Sequence, residues 1–224
     1  MVNIIVLATT NTHKVIEFQK LMGDFQVEIR SLADFGPLPP VIEDGETFDE
    51  NAYKKAYHTA KVLGLPAIAD DSGLVVEVLG GQPGVHSARY AGSSAGDDDN
   101  VDKLLEEMDG FNNRTAYFQC TVSIAVPSGP ALTYEAKCPG TITSERRGEG
   151  GFGYDPVFYH EGLGKTFAQA TMEEKNTVSH RGRVMQEIAS ESEKILEWLK
   201  LRLEEEKPEK PDHNQFLDND WSSQ

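Results

Sequence analysis

IADDSGLVVEV, residues Ile68 to Val78, sets Asp70, Asp71, Ser72 and Gly73 between two apolar runs. Leu65 to Ala69 and Leu74 to Leu79 read as strands, because short apolar runs bounded by polar punctuation are the mark of buried β structure. A carboxylate pair loses hydration wherever the chain enters a core. Asp-Asp-Ser-Gly is therefore either a polar turn between two strands or a strand end that offers acids to a ligand, and residue types alone leave both open. In the second case paired carboxylates suit Mg²⁺, a hard cation that prefers oxygen, with Glu43 and Glu50 as further acids for the site. If the strand continues, Asp70 points away from Asp71 and has a supporting role at most.

Upstream, NIIVLA (3–8) is a short apolar strand, followed by a polar turn and a helix from Lys14 to Met22 with Val15, Phe18 and Met22 at helical spacing. QVEIR (26–30) alternates as a second strand, and GPLPPVIEDGE (36–46) is a loop. From Thr47 to Leu63, Phe48, Ala52, Ala56, Ala60 and Leu63 share one stripe of an amphipathic helix. Downstream, GGQPGVHSARYAGSSAGDDD (80–99) reads as a long irregular loop. Val101, Leu104, Leu105 and Met108 then define a short helix capped by Asp98 or Asp99, with the acids from Asp97 to Asp109 as its solvated face. Arg114 to Val126 and Ala131 to Lys137 form a long hairpin around PSGP, and DPVFYH (155–160) supplies one more strand. A final helix beginning near Ser179 carries Val184, Ile188, Ile195 and Leu199 on its apolar stripe. Strands and helices that alternate before a late antiparallel hairpin predict a mixed α/β (α+β) protein, with a cleft between two lobes.

The chain has 224 residues, 38% of them hydrophobic, enough for a sizeable core. Residues 1–205 are expected to form one domain of two lobes, and 206–224 an acidic, disordered tail. No stretch approaches a bilayer-spanning length and no leader pattern opens the chain, so a soluble, cytoplasmic protein is expected. A net charge of −16 argues against nucleic-acid and membrane partners, which need clustered Lys and Arg. Any polyanionic ligand must then meet a local basic site or a metal. Cys120 and Cys138 read as reduced core thiols, although the hairpin could bring them nearly opposite one another.

Three further segments can carry chemistry. ATTNTHK (8–14) lies between a strand and a helix, where free N–H groups and the helix dipole favour an anion; alternatively, Asn11 or Thr12 merely caps the helix. GEGGFGYDP (148–156) matches G-x-G-x-x-G literally, but a strand rather than a helix follows. It reads instead as a flexible loop offering Phe152 or Tyr154 as a stacking surface and Asp155 as an acceptor. In EEKNTVSHRG (173–182), Ser179 is a natural helix cap, yet His180 and Arg181 would then oppose the helix dipole, which invites a ligand.

Taken in order, TTNTHK, EDGETFDENAYKKA, ADDSGL, PGVHSARYAG, GGFGYDPVF and EEKNTVSHRG resemble the inosine triphosphate pyrophosphatase family, the Ham1-like enzymes. The resemblance spans about Ile4 to the last helix. It implies two lobes around a central mixed, twisted sheet with a deep substrate cleft, and a homodimer. It also implies Mg²⁺-dependent hydrolysis of ITP, dITP or XTP to the monophosphate and pyrophosphate. On that basis Thr9, Asn11, Lys14 and Lys55 would hold phosphate oxygens, with Thr10, Thr12 and His13 also among the substrate contacts. Asp71 would be the catalytic carboxylate and, with Glu43, a metal ligand, and Ser72 would touch substrate. Phe152 would stack on the base, Gly153, Tyr154 and Asp155 would shape its pocket, and Lys175, His180 and Arg181 would donate to the purine edge. A related enzyme with another base preference and a nucleotide sensor without turnover are the alternatives.

Overall fold

The computed structural model, which describes residues 4–11, 14–16, 18 and 27–205, carries a single strand, β3 (Ala67–Val76), unbroken through Asp70–Gly73. The expectation of two strands around a turn is thus corrected, and Glu77–Leu79 is a 3₁₀ turn rather than strand. β4 (Thr115–Ala125) runs antiparallel along the whole of β3, from Ala67 opposite Ala125 to Val76 opposite Ala116. A complete ladder satisfies the backbone that a turn would otherwise have served, so long-range pairing overrides the local turn chemistry. Met22, Gln26, Thr12, His13 and the tail 206–224 lie outside the described residues.

Seven strands form one mixed sheet in the order β2-β1-β3-β4-β5-β6-β7. β1 (Ile4–Leu7) is parallel to both β2 (Glu28–Ser31) and β3. The remaining neighbours are antiparallel: β4 with β5 (Ala131–Ile142), then β6 (Phe158–His160) and β7 (Lys165–Thr166). β5 runs five residues past the expected Lys137, because Gly140 and Thr141 still face Ala116 and Thr115 across the ladder. Cys120 faces Ala136 and Cys138 faces Phe118, so the thiols are offset along the hairpin rather than opposed; both are buried and free.

β1 reaches only to Ala67 and Ile68 of β3 before the chain leaves the sheet. Among the described residues the β1 side of β3 then stays open until Val75 bridges Pro83, and Asp70–Gly73 lie along that opening. Side chains alternate across the strand. One face carries Ile68 in a core with Val122, Val184, Ile188 and Leu199, and then Leu74 and Val76 in a second core with Leu104, Phe118 and Phe158. Asp70 lies between these two apolar clusters. The opposite face carries Ala67 and Ala69 against Ala56 and Ala60.

Those alanines belong to α1 (Phe48–Leu63), whose predicted stripe is buried at Phe48, Ala52, Ala56 and Ala60. Thr47 Oγ1 caps it by accepting from Glu50 N at 3.1 Å, and the Glu50 carboxylate accepts from Glu46 N and Thr47 N. Glu50 is therefore a capping residue and not part of an acid cluster with Asp71.

The long loop after β3 is more ordered than its composition suggests. A 3₁₀ segment, Gly84–Arg89, docks on β3 through Ser87, whose Oγ accepts from Leu74 N at 2.9 Å and donates to Gly84 O at 2.6 Å. Gly73 permits this approach, since a Cβ there would collide with Gly84 O and Ser87 Oγ. α2 (Asp97–Glu107) begins earlier than its apolar stripe, with Gly96 at the cap and the Asp99 carboxylate accepting from Gly96 N at 2.8 Å. Its acids are not simply solvated, because Arg146 bridges to Asp102 at 2.7 Å and Asp97 accepts from Gly153 N at 2.6 Å.

The final helix expected from Ser179 is two, α4 (His180–Ser190) and α5 (Ser192–Glu205), and a further short helix, α3 (Met172–Val178), precedes them. Ser179 breaks the first pair with extended backbone and caps α4, its Oγ accepting from Gly182 N at 3.1 Å. Among the described residues no helix is long and apolar enough to cross a membrane.

Candidate active site

Where β1 stops, Thr9 to Asn11 leave the sheet beside β3, and Lys14 to Ile16 are helical. Asn11 Oδ1 accepts from Lys14 N at 3.3 Å and Asn11 N donates to Thr9 Oγ1 at 3.1 Å, so Asn11 does cap this segment. Lys14 Nζ reaches Asp70 Oδ2 at 2.8 Å. On the other face of β3, Lys55 Nζ from α1 lies 2.7 Å from Asp71 Oδ1 and 3.0 Å from Glu43 Oε2. The neighbouring acids of β3 are thus separated by the pleat and answered by different cations.

Their electrostatics differ accordingly. Burial alone would raise the Asp70 carboxyl, but Lys14, Arg181 and Lys55 outweigh it and hold the group well below the usual carboxylate range. For Asp71, burial prevails over Lys55 and the pKa is raised. Burial would lower Lys55, yet Asp71, Asp70 and Glu43 together raise it, so it stays an ammonium.

The far side of the opening is built by α3, α4 and the glycine-rich loop. Asp155, 2% exposed, accepts from Lys175 Nζ at 2.5 Å and from Phe152 N at 3.0 Å through the same oxygen. Gly151 makes room, having φ +76° and a position where any Cβ would strike that carboxylate. Lys175 sits 4.6 Å and Arg181 5.8 Å from the centre of the Phe152 ring. Of the two aromatic candidates, Phe152 is the partly exposed one. Tyr154 is buried with its hydroxyl donating to Ser87 O at 2.9 Å.

Arg181 Nη2 crosses the opening to Asp70 Oδ2 at 3.3 Å. This contact eases the conflict noted at the start of α4, because the guanidinium that opposes the helix dipole is met by a buried carboxylate. His180, stacked 4.8 Å from Phe118, adds no second charge: burial beside Arg181 and Lys175 pushes its pKa well below the ordinary value. Its Nδ1 is buried without a hydrogen-bond partner.

All these groups line one cavity of about 720 Å³. Apart from Glu50, every candidate site residue within the described residues is on its wall, from Thr9, Thr10, Asn11 and Lys14 through Glu43, Lys55, Asp71 and Ser72 to Gly153, Tyr154, Lys175, His180 and Arg181. Asp70, expected to have a supporting role at most, also lines it, as do Asp97, Asn100 and Phe118, which were not foreseen as site residues. Asp70 carries the heaviest charge load of all, while Asp97 and Asn100 hold the surrounding loops by accepting from Gly153 N and Ala91 N. No local pattern distinguishes Asp97 from its acidic neighbours. Among the described lining residues, Lys14, Lys55, Arg89, Lys175 and Arg181 are matched one for one by Glu43, Asp70, Asp71, Asp97 and Asp155. In a chain of charge −16 this formally neutral cleft spares an anion the repulsion of the remaining surface, but it is not by itself a basic site.

Comparison with known proteins places the chain among relatives of one family. Residues 5–191 match the family model described as the Ham1 family. The dITP/XTP pyrophosphatase of Desulfotalea psychrophila is 62% identical over 99% of this chain and 100% of its own. That of Geobacillus kaustophilus is 50% identical over 86% and 95%. Among solved structures, a HAM1 protein from Coxiella burnetii superposes with a TM-score of 0.80 at 40% identity, covering 84% of this chain and 97% of its own. The Staphylococcus aureus Ham1 protein gives the same TM-score at 37% identity.

Proposed function

The chain belongs to the Ham1 family, and on that premise we propose that it hydrolyses non-canonical purine nucleoside triphosphates (ITP, dITP and XTP) to the monophosphate and pyrophosphate. The observation that carries the proposal is the placement of Glu43 and Asp71 about one ammonium, Lys55, in the same cavity as Lys175, His180 and Arg181. One end of the cleft then suits a phosphate chain and the other a keto base.

The acids present suit Mg²⁺. Glu43 and Asp71 already converge on a common cation, and no cluster of three or more His, Cys, Asp or Glu side chains forms among the described residues. Two carboxylates, with substrate phosphates completing the shell, is the arrangement Mg²⁺ commonly takes, and a neutral cleft needs added positive charge to hold a triphosphate. When bound, the ion would neutralise charge on the departing pyrophosphate.

The protein's own residues do the rest. Lys14 and Lys55 hold phosphate oxygens, with Thr9, Thr10 and Asn11 lining the cavity beside them. Asp71 orients the attacking water and accepts its proton as the new bond to the α-phosphorus forms and the bond to the bridging oxygen breaks, releasing pyrophosphate. Phe152 covers the base. Donors at the purine edge satisfy the carbonyl of hypoxanthine or xanthine, whereas the adenine amine leaves them unpaired at a cost of roughly 1–3 kcal/mol per buried group. Assembly as a homodimer belongs to the same proposal and is supported by the family membership. A steady-state panel of nucleoside triphosphates with Mg²⁺ should show pyrophosphate release from ITP, dITP and XTP and little from ATP. Equal turnover of ATP and ITP would sink the base assignment.

A further inference from the structure

Asp70 connects the two ends of the cleft. Its Oδ2 receives Lys14 Nζ at 2.8 Å, Arg181 Nη2 at 3.3 Å and Ser72 Oγ at 3.0 Å, and its side chain is 1% exposed. Lys14 stands at the phosphate end, and Arg181, 111 residues beyond Asp70 in sequence, at the base end. A single oxygen divided between two cations holds each less firmly than it would hold either alone. Whatever draws Lys14 away therefore tightens the hold on Arg181.

We propose that Asp70 is a positioning residue that couples the two ends, so that a phosphate chain engaging Lys14 leaves Asp70 to Arg181 and makes the guanidinium a stricter reader of the base. The proposal rests on the nucleotide reading of the cleft given above. Base selectivity becomes conditional: a bare nucleoside is read loosely and a nucleotide strictly, because the guanidinium is fixed only once its competitor for Asp70 is occupied. Asp70 itself need not touch substrate.

The test is a binding measurement. Dissociation constants of inosine and adenosine are determined by calorimetry with Mg²⁺, with and without saturating inorganic pyrophosphate. In the wild type, pyrophosphate should raise the inosine-over-adenosine preference by about fivefold or more, the low end of coupling between sites. Asp70→Asn should abolish that rise. Because this variant strips the charge from a buried partner of two cations and endangers the fold, Lys14→Met is the second arm, keeping the Asp70–Arg181 pair balanced. It should show the raised preference with no pyrophosphate present. A wild-type preference for inosine that pyrophosphate leaves unchanged, or a Lys14→Met preference equal to the wild type's, overturns the coupling while leaving the base assignment standing. No inosine preference in any condition overturns both.

Discussion

Asp155 and Lys175 form an ion pair at 2.5 Å with both side chains almost wholly buried, and the same Asp155 oxygen anchors the Phe152 backbone N–H at 3.0 Å. One carboxylate thus sets both the Lys175 ammonium and the aromatic ring beside it. Replacing Asp155 with Ala should cost about 3–5 kcal/mol of stability, since it leaves a buried ammonium without its counter-charge. KM for ITP should rise in parallel, because the ring and the cation lose their common support. Urea unfolding and steady-state kinetics on the same preparation check both effects.

Asp71→Asn should lower kcat about 10²–10⁴-fold, the range for losing a positioned proton acceptor, with the fold preserved. Lys55 keeps Glu43 as a partner in that variant, so no isolated buried charge is created. Circular dichroism at matched concentration verifies the fold, and near-normal kcat would require another catalytic residue. Chelation should likewise abolish turnover and added Mg²⁺ restore it.

Gly73→Ala should destabilise the protein by about 1–3 kcal/mol, the cost of forcing a methyl into a packed contact. The added carbon meets Gly84 O and Ser87 Oγ and loosens the 3₁₀ segment from β3. A thermal melt with no significant drop would show that this docking is dispensable.

Stability should fall as pH drops below the ordinary histidine range, through His180. The unfolded imidazole takes up a proton below about pH 6.5 while the buried native ring, its pKa pushed well down, does not. Protons therefore favour the unfolded chain; the contribution is fully present above the unfolded pKa and is lost as pH falls toward the native one. Between pH 7 and 5.5 the wild type should lose about 1 kcal/mol more than His180→Asn, read from urea midpoints. Equal losses would mean that the ring is protonated in the native state.

The α1 helix was legible in the sequence because its apolar stripe and Thr47–Glu50 cap are local signals. The same holds for the hairpin of β4 and β5, although not for its full length. The break between α4 and α5 was invisible for a specific reason: Ile188 and Ile195 lie seven residues apart, so the stripe continues across Glu191 as though the helix were whole. Asp70 was undervalued because its partners, Lys14 and Arg181, lie far away along the chain in opposite directions. At Asp-Asp-Ser-Gly, turn-forming residues gave no sign of the strand pairing that overrules them. The family resemblance identified the side chains that meet at the cleft, but not the ion pairs that hold them before a ligand arrives.

The early end of β1 has a further meaning. By leaving β3 paired on one side only, it places Asp71 on a rigid rung of the sheet while Lys175, His180 and Arg181 ride on separate helices. On the proposed function, bond cleavage and base choice are therefore entrusted to different parts of the architecture. Under that proposal, changes in the helical part would retune which purine is accepted without disturbing the rung that carries Asp71.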